Sequence, residues 1–218
     1  MTVRLAVFDC DGTLVDGQAA VCAAMAAGFA EAGLAPPDPH QVRRIVGLSL
    51  PGAIARLAPD AAPDRQERAV QAYKQAFFRT REQGLLHEPL YDGIADLLAR
   101  LHRSGWTLGV ATGKSDRGLR GCLTLHGIFD LFATLQTADR HPSKPHPAML
   151  EAAMAEAGAL PADTVMIGDT VYDIEMAVAA GCRAIGVAWG YHEPAELIAA
   201  GAEAVAATPA QLGEMLDD

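Results

Sequence analysis

The chain has 218 residues, of which 50% are hydrophobic and 20% are charged, and its formal net charge at pH 7 is −10. This composition is typical of a globular protein, and the length allows one core with a smaller inserted domain. The acidic balance, without a basic stripe, argues against nucleic acid as a partner. No apolar run reaches the ~18 residues that cross a bilayer, so we expect no membrane partner.

The first residues lead directly into a strand pattern, without the basic and apolar regions of a signal peptide, so we expect a cytoplasmic protein. The four cysteines, Cys10, Cys22, Cys122 and Cys182, match no zinc or redox spacing. They are therefore expected to be reduced thiols that pack as small apolar side chains.

The first strand is predicted over residues 3–8, which are mostly apolar, and it ends abruptly at Asp9 and Asp11. Side chains at i and i+2 of an extended chain point the same way, so the two carboxylates emerge side by side. Gly12 permits a sharp turn, and Thr13 adds a hydroxyl. Two acids this close cannot both ionise cheaply without a cation or a proton between them, which indicates chemistry at this strand end.

Residues 17–86 carry helical patterns and no strand pattern. Apolar residues recur at helical spacing from 18 to 32, and shorter helices are expected around 42–46 and over 53–57. A long helix should start at Asp64, as its cap, and end at Gly84. This stretch therefore predicts an all-helical module inserted directly after the first strand.

From Pro89 onward, helix and strand patterns alternate. This order predicts right-handed crossovers and a Rossmann-like parallel sheet with helices on both faces, that is, an α/β fold. We expect a core of residues 1–16 and 87–218 with a helical domain of residues 17–86. The predicted strands are 106–111, 133–137, 164–168 and 184–188. One predicted helix starts at Gly93, and the others cover 116–126, 147–157 and 174–180.

Polar residues lie at the carboxyl ends of several predicted strands, where open α/β sheets bind ligands. Asp9 could act as a nucleophile that forms an aspartyl phosphate, if a metal pairs its charge. Asp11 could protonate the leaving oxygen and later activate water.

Thr112 and Gly113 stand between a strand and a helix, where a hydroxyl and free backbone N–H groups can cradle a phosphate. By themselves, such residues are more often a helix cap. Lys114 follows them and is expected to be a solvated surface charge.

Lys144 lies in a loop stiffened by Pro145 and Pro147, and a lysine held there could neutralise a nucleophile and a transferred phosphoryl group. Asp169 ends a strand, and Asp173 follows inside the first turn of a helix. Carboxylate pairs of this kind suit Mg²⁺, which takes few protein oxygens and keeps several waters.

The stretch Asp9-Cys10-Asp11-Gly12-Thr13-Leu14-Val15 resembles the signature of the haloacid dehalogenase superfamily. Thr112, then Lys144 with Pro145, then Gly168-Asp169 with Asp173 match its other three motifs in order and spacing. The chain is most similar to the phosphoglycolate phosphatase-like subgroup, whose Rossmann-like core carries a helical (C1) cap inserted after the first strand.

The resemblance implies a Mg²⁺-dependent phosphatase acting on a small phosphate monoester, resembling phosphoglycolate, through an aspartyl phosphate on Asp9. It implies that Asp11 is the acid and base, and that its backbone carbonyl also meets the metal. The metal ligands would be Asp9, Asp11 and Asp169, with Asp173 supporting the metal site. The predicted substrate-binding residues are Gly12, Thr13, Thr112, Gly113 and Lys144, of which Thr112 and Lys144 hold the phosphoryl group.

Other functions stay open. A β-phosphoglucomutase-like mutase or a pyrophosphatase would use the same scaffold, although Leu50 stands where sugar-phosphate mutases tend to carry arginine. Outside enzymes, a phospho-accepting receiver module would also place an aspartate, a threonine and a lysine on a parallel sheet. The expected partner is a small phosphorylated metabolite, and the expected assembly is a monomer or a homodimer.

Overall fold

The computed structural model describes residues 2–217. A six-stranded parallel sheet forms its centre, in the order β3-β2-β1-β4-β5-β6. This order differs from the 2-1-3-4-5 order of receiver-type sheets, so the fold disfavours the signalling alternative. The strands are β1 Leu5–Phe8, β2 Thr107–Thr112, β3 Phe132–Thr137, β4 Thr164–Gly168, β5 Arg183–Val187 and β6 Ala204–Ala206.

Helices cover both faces of the sheet, and four of them form an insertion between β1 and the rest of the α/β fold. The insertion consists of α1 Gln18–Glu31, α2 Pro39–Arg44, α3 Leu50–Leu57 and α4 Pro63–Glu82. The remaining helices are α5 Ile94–Arg103, α6 Asp116–Leu125, α7 Ala148–Ala157, α8 Val171–Ala179, α9 Pro194–Ala200 and α10 Pro209–Asp217. Among residues 2–217, no helix is both long enough and apolar enough to cross a bilayer.

The strand β1 is fully buried because both of its faces are covered. Ala6 and Phe8 pack into one apolar cluster, with helices α5 and α6. Leu5 and Val7 pack into a second cluster on the opposite face, with helices α7 and α8. The continuous apolar run of β1 therefore reflects a central strand, and it places residues 9–13 at the carboxyl edge of the sheet.

The insertion has an apolar core of its own, which includes Phe29, Ile54 and Val70. Its long helix begins two residues earlier than a cap at Asp64 would place it: Pro63 occupies the first helical position, and Ala62 before it provides no side-chain cap. The prediction that Asp64 caps this helix is wrong. A proline suits the first position because its ring fixes φ near the helical value and its missing N–H would have no partner there.

The sheet has one strand more than the sequence pattern predicts. The strand β6 contains three residues, Ala-Val-Ala, and pairs with β5 at the edge of the sheet. Such a short segment carries no measurable alternation of apolar and polar residues, so only its position beside β5 identifies it as a strand.

Candidate active site

Three buried carboxylates meet at the carboxyl ends of β1 and β4. Asp9 directly follows β1, Asp169 follows β4, and Asp173 lies in the first turn of α8. One oxygen from each residue lies within 4.8 Å of the others. The two strands are hydrogen-bonded neighbours, so the fold itself brings together residues that are 160 positions apart in the chain.

Lys144 supplies a positive charge to this acidic cluster. Its Nζ lies 3.0 Å from Asp9 Oδ1 and donates a hydrogen bond of 2.5 Å to Asp173 Oδ1. Burial by itself would lower the pKa of the lysine, but the carboxylates of Asp173 and Asp9 outweigh it and raise that pKa above its usual value. Three carboxylates thus face one ammonium, so two negative charges would stay uncompensated if all groups were ionised.

The pKa values of two of these carboxylic acids are raised in this buried, negatively charged surrounding. Burial raises the pKa of Asp9 to about 7, against the attraction of Lys144, and burial with the neighbouring Asp173 raises the pKa of Asp169 well above its usual value. Asp9 Oδ1 accepts a hydrogen bond from the Cys10 N–H, whereas Asp9 Oδ2 is buried without a hydrogen-bond partner among the described residues. A divalent cation would match both the missing charge and the free oxygen.

Asp169 is held by two donors and two close glycines. Oδ1 accepts from the Thr13 hydroxyl at 2.9 Å, and Oδ2 accepts from the Tyr191 backbone N–H at 2.9 Å. A Cβ on Gly12 would lie 2.2 Å from Asp169 Oδ2, and one on Gly190 would lie 2.1 Å from Asp169 Cβ. Both positions therefore require glycine for close approach. Since the Thr13 hydroxyl is already engaged with Asp169, its predicted contact with substrate stays a prediction.

The sequence patterns do not identify Gly190 and Tyr191 as site residues. They follow β5, the parallel strand next to β4, so their loop emerges at the same edge of the sheet as Asp169. A glycine shortly after a predicted parallel strand is the feature that could have indicated this part of the site.

The two carboxylate oxygens of Asp173 have different partners, Thr170 at the start of α8 and Lys144. Oδ2 accepts from the Thr170 hydroxyl at 2.7 Å and from the Thr170 N–H at 3.1 Å, which forms a capping box at the start of α8. Oδ1 accepts from Lys144. Both oxygens are thus engaged by the protein, and this arrangement fixes the position of Lys144 beside Asp9.

The carboxylate of Asp11 belongs to a second buried ion-pair group, with Lys114 and Glu88. Lys114 Nζ lies 2.9 Å from Asp11 Oδ1 in an ionic contact without regular hydrogen-bond geometry, and it donates a 2.6 Å hydrogen bond to Glu88 Oε1. The Lys114 side chain is 8% exposed and that of Glu88 is 1% exposed. The prediction that Lys114 is a solvated surface charge is therefore wrong.

Thr112 ends β2, and its buried hydroxyl accepts a 3.3 Å hydrogen bond from the Lys114 N–H. Gly113 contacts the insertion closely, since a Cβ there would lie 2.5 Å from the Leu48 carbonyl oxygen. Ser115 then caps the start of α6, and its side chain accepts from the Gly118 N–H. The predicted phosphate-binding residues therefore lie where the insertion, β2 and α6 meet.

A cavity of about 540 Å³ separates the insertion from the sheet. Asp9 and Asp11 line it on the sheet side together with Thr112 and Gly113, whereas Gly12, Thr13, Lys144, Asp169 and Asp173 are not part of its lining. The insertion contributes mainly apolar and aromatic side chains, among them Val21, Met25, Tyr73, Phe77 and Phe78, with Lys74 and Arg81 as cations.

Comparison of the sequence with known proteins identifies a family and several relatives. The sequence profile of the haloacid dehalogenase-like hydrolases matches residues 6–187. A probable phosphatase, IndB, of Dickeya dadantii is 38% identical over 200 residues, which cover 90% of this chain and 86% of that protein. A phosphoglycolate phosphatase of Vibrio vulnificus is 29% identical over 96% of this chain and 94% of its own length.

Solved structures show the same architecture. A haloacid dehalogenase-like family hydrolase from Streptococcus pneumoniae superposes with a TM-score of 0.85 at 25% identity and covers 98% of both chains. The family profile spans the acidic cluster and the whole insertion, and the resemblance seen in the motifs is confirmed. The chain therefore belongs to the haloacid dehalogenase-like hydrolases and is an enzyme of their phosphatase type.

Proposed function

We propose that this enzyme is a Mg²⁺-dependent phosphatase that hydrolyses a small phosphate monoester through an aspartyl phosphate on Asp9. The observation that carries the proposal is the buried cluster of Asp9, Asp169 and Asp173 around Lys144, with a free oxygen of Asp9 where the cavity meets the sheet. A buried carboxylate oxygen without a hydrogen-bond partner is costly, which supports a reacting or coordinating role for Asp9 Oδ2.

The donor set fits a magnesium ion. Asp9 and Asp169 would hold it, with the backbone carbonyl of Asp11, and Asp173 would support the site through Lys144. Oxygen ligands alone and two uncompensated negative charges suit a hard divalent cation. When bound, the ion would neutralise Asp9 and a substrate phosphate, so that two anions could approach each other.

In the proposed first step, an Asp9 carboxylate oxygen attacks phosphorus while the bond from phosphorus to the leaving oxygen breaks. That oxygen keeps the electron pair and takes a proton from Asp11. In the second step, Asp11 accepts a proton from water as the water oxygen attacks phosphorus, and the Asp9 carboxylate is released. Thr112, Lys144 and the backbone N–H groups around Gly113 would hold the phosphoryl oxygens, with Gly12 and Thr13 shaping the turn beside them.

We also propose that the insertion acts as a cap domain of residues 17–86 over a core of residues 1–16 and 87–218. The contact of Gly113 with the Leu48 carbonyl supports this role, because the insertion lies directly against the segment that we propose to bind phosphate. A seated cap would exclude water from the aspartyl phosphate and select the leaving group.

The substrate is a small phosphorylated metabolite, and the Vibrio vulnificus relative makes 2-phosphoglycolate the first compound to test. The cavity of about 540 Å³ lies within the range of about 300–1,000 Å³ that is typical of pockets for larger ligands. The panel should therefore extend to sugar phosphates, nucleotides, aryl phosphates and pyrophosphate. Product analysis on the sugar phosphates and pyrophosphate would reveal a mutase or a pyrophosphatase.

The test is phosphate release from this panel with Mg²⁺, with EDTA, and with the Asp9→Asn variant. We expect Mg²⁺-dependent release that the variant lowers by at least about a thousandfold, because an amide is a poor nucleophile. Asp16→Asn, at an exposed aspartate of the same loop, serves as the matched control and should keep its activity. Activity that survives in folded Asp9→Asn, or that ignores EDTA, would exclude this mechanism.

A further inference from the structure

We propose that Lys114 and Glu88 are positioning residues that hold Asp11 in place for proton transfer to the leaving group. The inference rests on the proposed function, in which Asp11 is the acid and base. It starts from two short contacts of one ammonium, 2.9 Å to Asp11 Oδ1 and 2.6 Å to Glu88 Oε1.

The burial of these charges indicates that they serve the reaction. Two carboxylates share a single ammonium, and all three side chains are at most 12% exposed. Removing charges from water is costly, and apolar side chains of similar size would support the fold equally well or better. A buried charge group that ends on a carboxylate of the active-site cavity is therefore better explained by chemistry than by stability.

The surrounding residues fix both partners of Asp11. The Lys114 N–H is tied to the Thr112 hydroxyl at 3.3 Å, so the lysine starts beside the predicted phosphate site and turns toward Asp11. The Glu88 backbone carbonyl lies 2.7 Å from Nε2 of His126, which follows α6. Lys114 is thus anchored at the end of β2, and Glu88 at the end of α6.

Space around the Asp11 carboxylate is equally restricted. A Cβ on Gly17 would lie 2.7 Å from Asp11 Oδ1 and 3.4 Å from Glu88 Oε1. On the cavity side, the Phe77 ring of the insertion lies 5.5 Å from Lys114 Nζ and covers it. The lysine lies on the Oδ1 side of the carboxylate, and we assign Oδ2 to the leaving oxygen of a substrate.

This role predicts an effect that depends on the leaving group. An alkoxide needs a proton as it leaves, whereas p-nitrophenolate is stable without one. Lys114→Met should therefore lower kcat/KM, which reports the step that forms the aspartyl phosphate, about a hundredfold for the best alkyl phosphate of the panel but less than about fivefold for p-nitrophenyl phosphate. Glu88→Gln should act in the same direction with a smaller effect, and Lys114→Arg should restore part of the loss because it keeps the charge.

The experiment measures kcat and KM for both substrates in the three variants, with circular dichroism to verify folding. Arg183→Met is the matched control, because it removes a cation paired with Glu203 at 3.0 Å at the amino end of β5, on the opposite edge of the sheet. This control variant should leave kcat and KM unchanged for both substrates.

Equal losses of kcat/KM for both ester types would overturn the positioning role and assign Lys114 to structure or to substrate binding. If the variants fold poorly, the ratio of the two kcat/KM values within each variant still tests the proposal, because the folded fraction cancels in that ratio. A wild-type protein without Mg²⁺-dependent release from any ester would overturn the proposed function and this inference together. Active wild type with a constant ratio would overturn this inference alone.

Discussion

At Gly113, the absence of a side chain determines how closely the insertion can approach the sheet. The site where a Cβ would stand lies 2.5 Å from the Leu48 carbonyl oxygen and 2.9 Å from that of Gly47. Both obstacles are backbone atoms of the insertion, so no rotamer change can relieve the overlap. One missing methyl group thus allows the cavity wall and the predicted phosphate-binding segment to meet.

We expect Gly113→Ala to displace the loop around Leu48 and to lower kcat/KM by about tenfold to a hundredfold, because misplacements near 1 Å have effects of this size. The steady-state kinetics of phosphate release provide the measurement. Gly121→Ala is the control: the nearest atom to its Cβ would belong to the Arg81 side chain, at an ordinary contact distance of 3.5 Å. If Gly113→Ala retains full activity, the insertion does not need this seating for turnover.

At the scale of elements, α2 of the insertion is joined to α9 beside the sheet by a two-pronged ion pair. Arg44 donates hydrogen bonds of 2.6 and 2.7 Å to the two carboxylate oxygens of Glu196. The Arg44 carbonyl also accepts from the Tyr172 hydroxyl at 3.2 Å, and His192 Nε2 lies 3.1 Å from it. These contacts connect the insertion to the sheet layer on the side of β4 and β5.

The Arg44 hydrogen bonds, followed by the Glu193 N–H, lower the pKa of Glu196 to about 2. A carboxylate with a lowered pKa contributes stability that is present above its ordinary pKa of 4.5 and is lost as the pH falls toward 2. Because both side chains are more than one third exposed, we expect Glu196→Gln to cost about 1 kcal/mol or less at pH 7.

The difference in unfolding free energy between Glu196→Gln and wild type should shrink as the pH decreases from 5 toward about 2. Urea unfolding at several pH values measures it, and added salt should reduce it further. Glu175→Gln, at an exposed glutamate of α8, is the control and should show no such trend. A difference that is constant with pH would mean that the ion pair does not stabilise the fold.

For the molecule as a whole, the uncompensated charge of the active site is a source of instability that a cation can remove. Asp9, Asp169 and Asp173 are fully buried, with Lys144 as the ammonium in contact with them. These carboxylates are brought together only in the folded protein. A divalent ion that binds them therefore stabilises the folded state by mass action.

We therefore expect Mg²⁺ at a hundred times its dissociation constant to stabilise the fold by about 2.7 kcal/mol. For a domain of this size, this corresponds to a rise in Tm of roughly 5–10 °C relative to EDTA. Thermal unfolding followed by circular dichroism measures it without any substrate. Asp169→Asn should abolish the rise, since it removes one of the proposed ligands of the ion. An equal rise in that variant would place the ion elsewhere.

The family and the fold class follow from the sequence to a large extent, because they depend on local patterns. The buried run of β1, the Asp-x-Asp turn after it, and the alternation of helix and strand from Pro89 are all short-range features. They predict a parallel sheet and a site at its carboxyl edge, and they predict that the helices before Pro89 are inserted after β1. The strand order and the sheet neighbours of β1 then bring Asp9, Asp169 and Asp173 together as expected.

Only the tertiary structure determined what each charged side chain meets. Lys114 looks like a surface lysine in sequence, and Glu88 lies in an unremarkable loop, yet they form a buried ion pair beside Asp11. The Gly190-Tyr191 segment that holds Asp169 is equally inconspicuous. Local propensity depends on neighbours within a few positions, whereas the burial and pairing of a charge depend on segments far apart in the chain, so folding alone decides them.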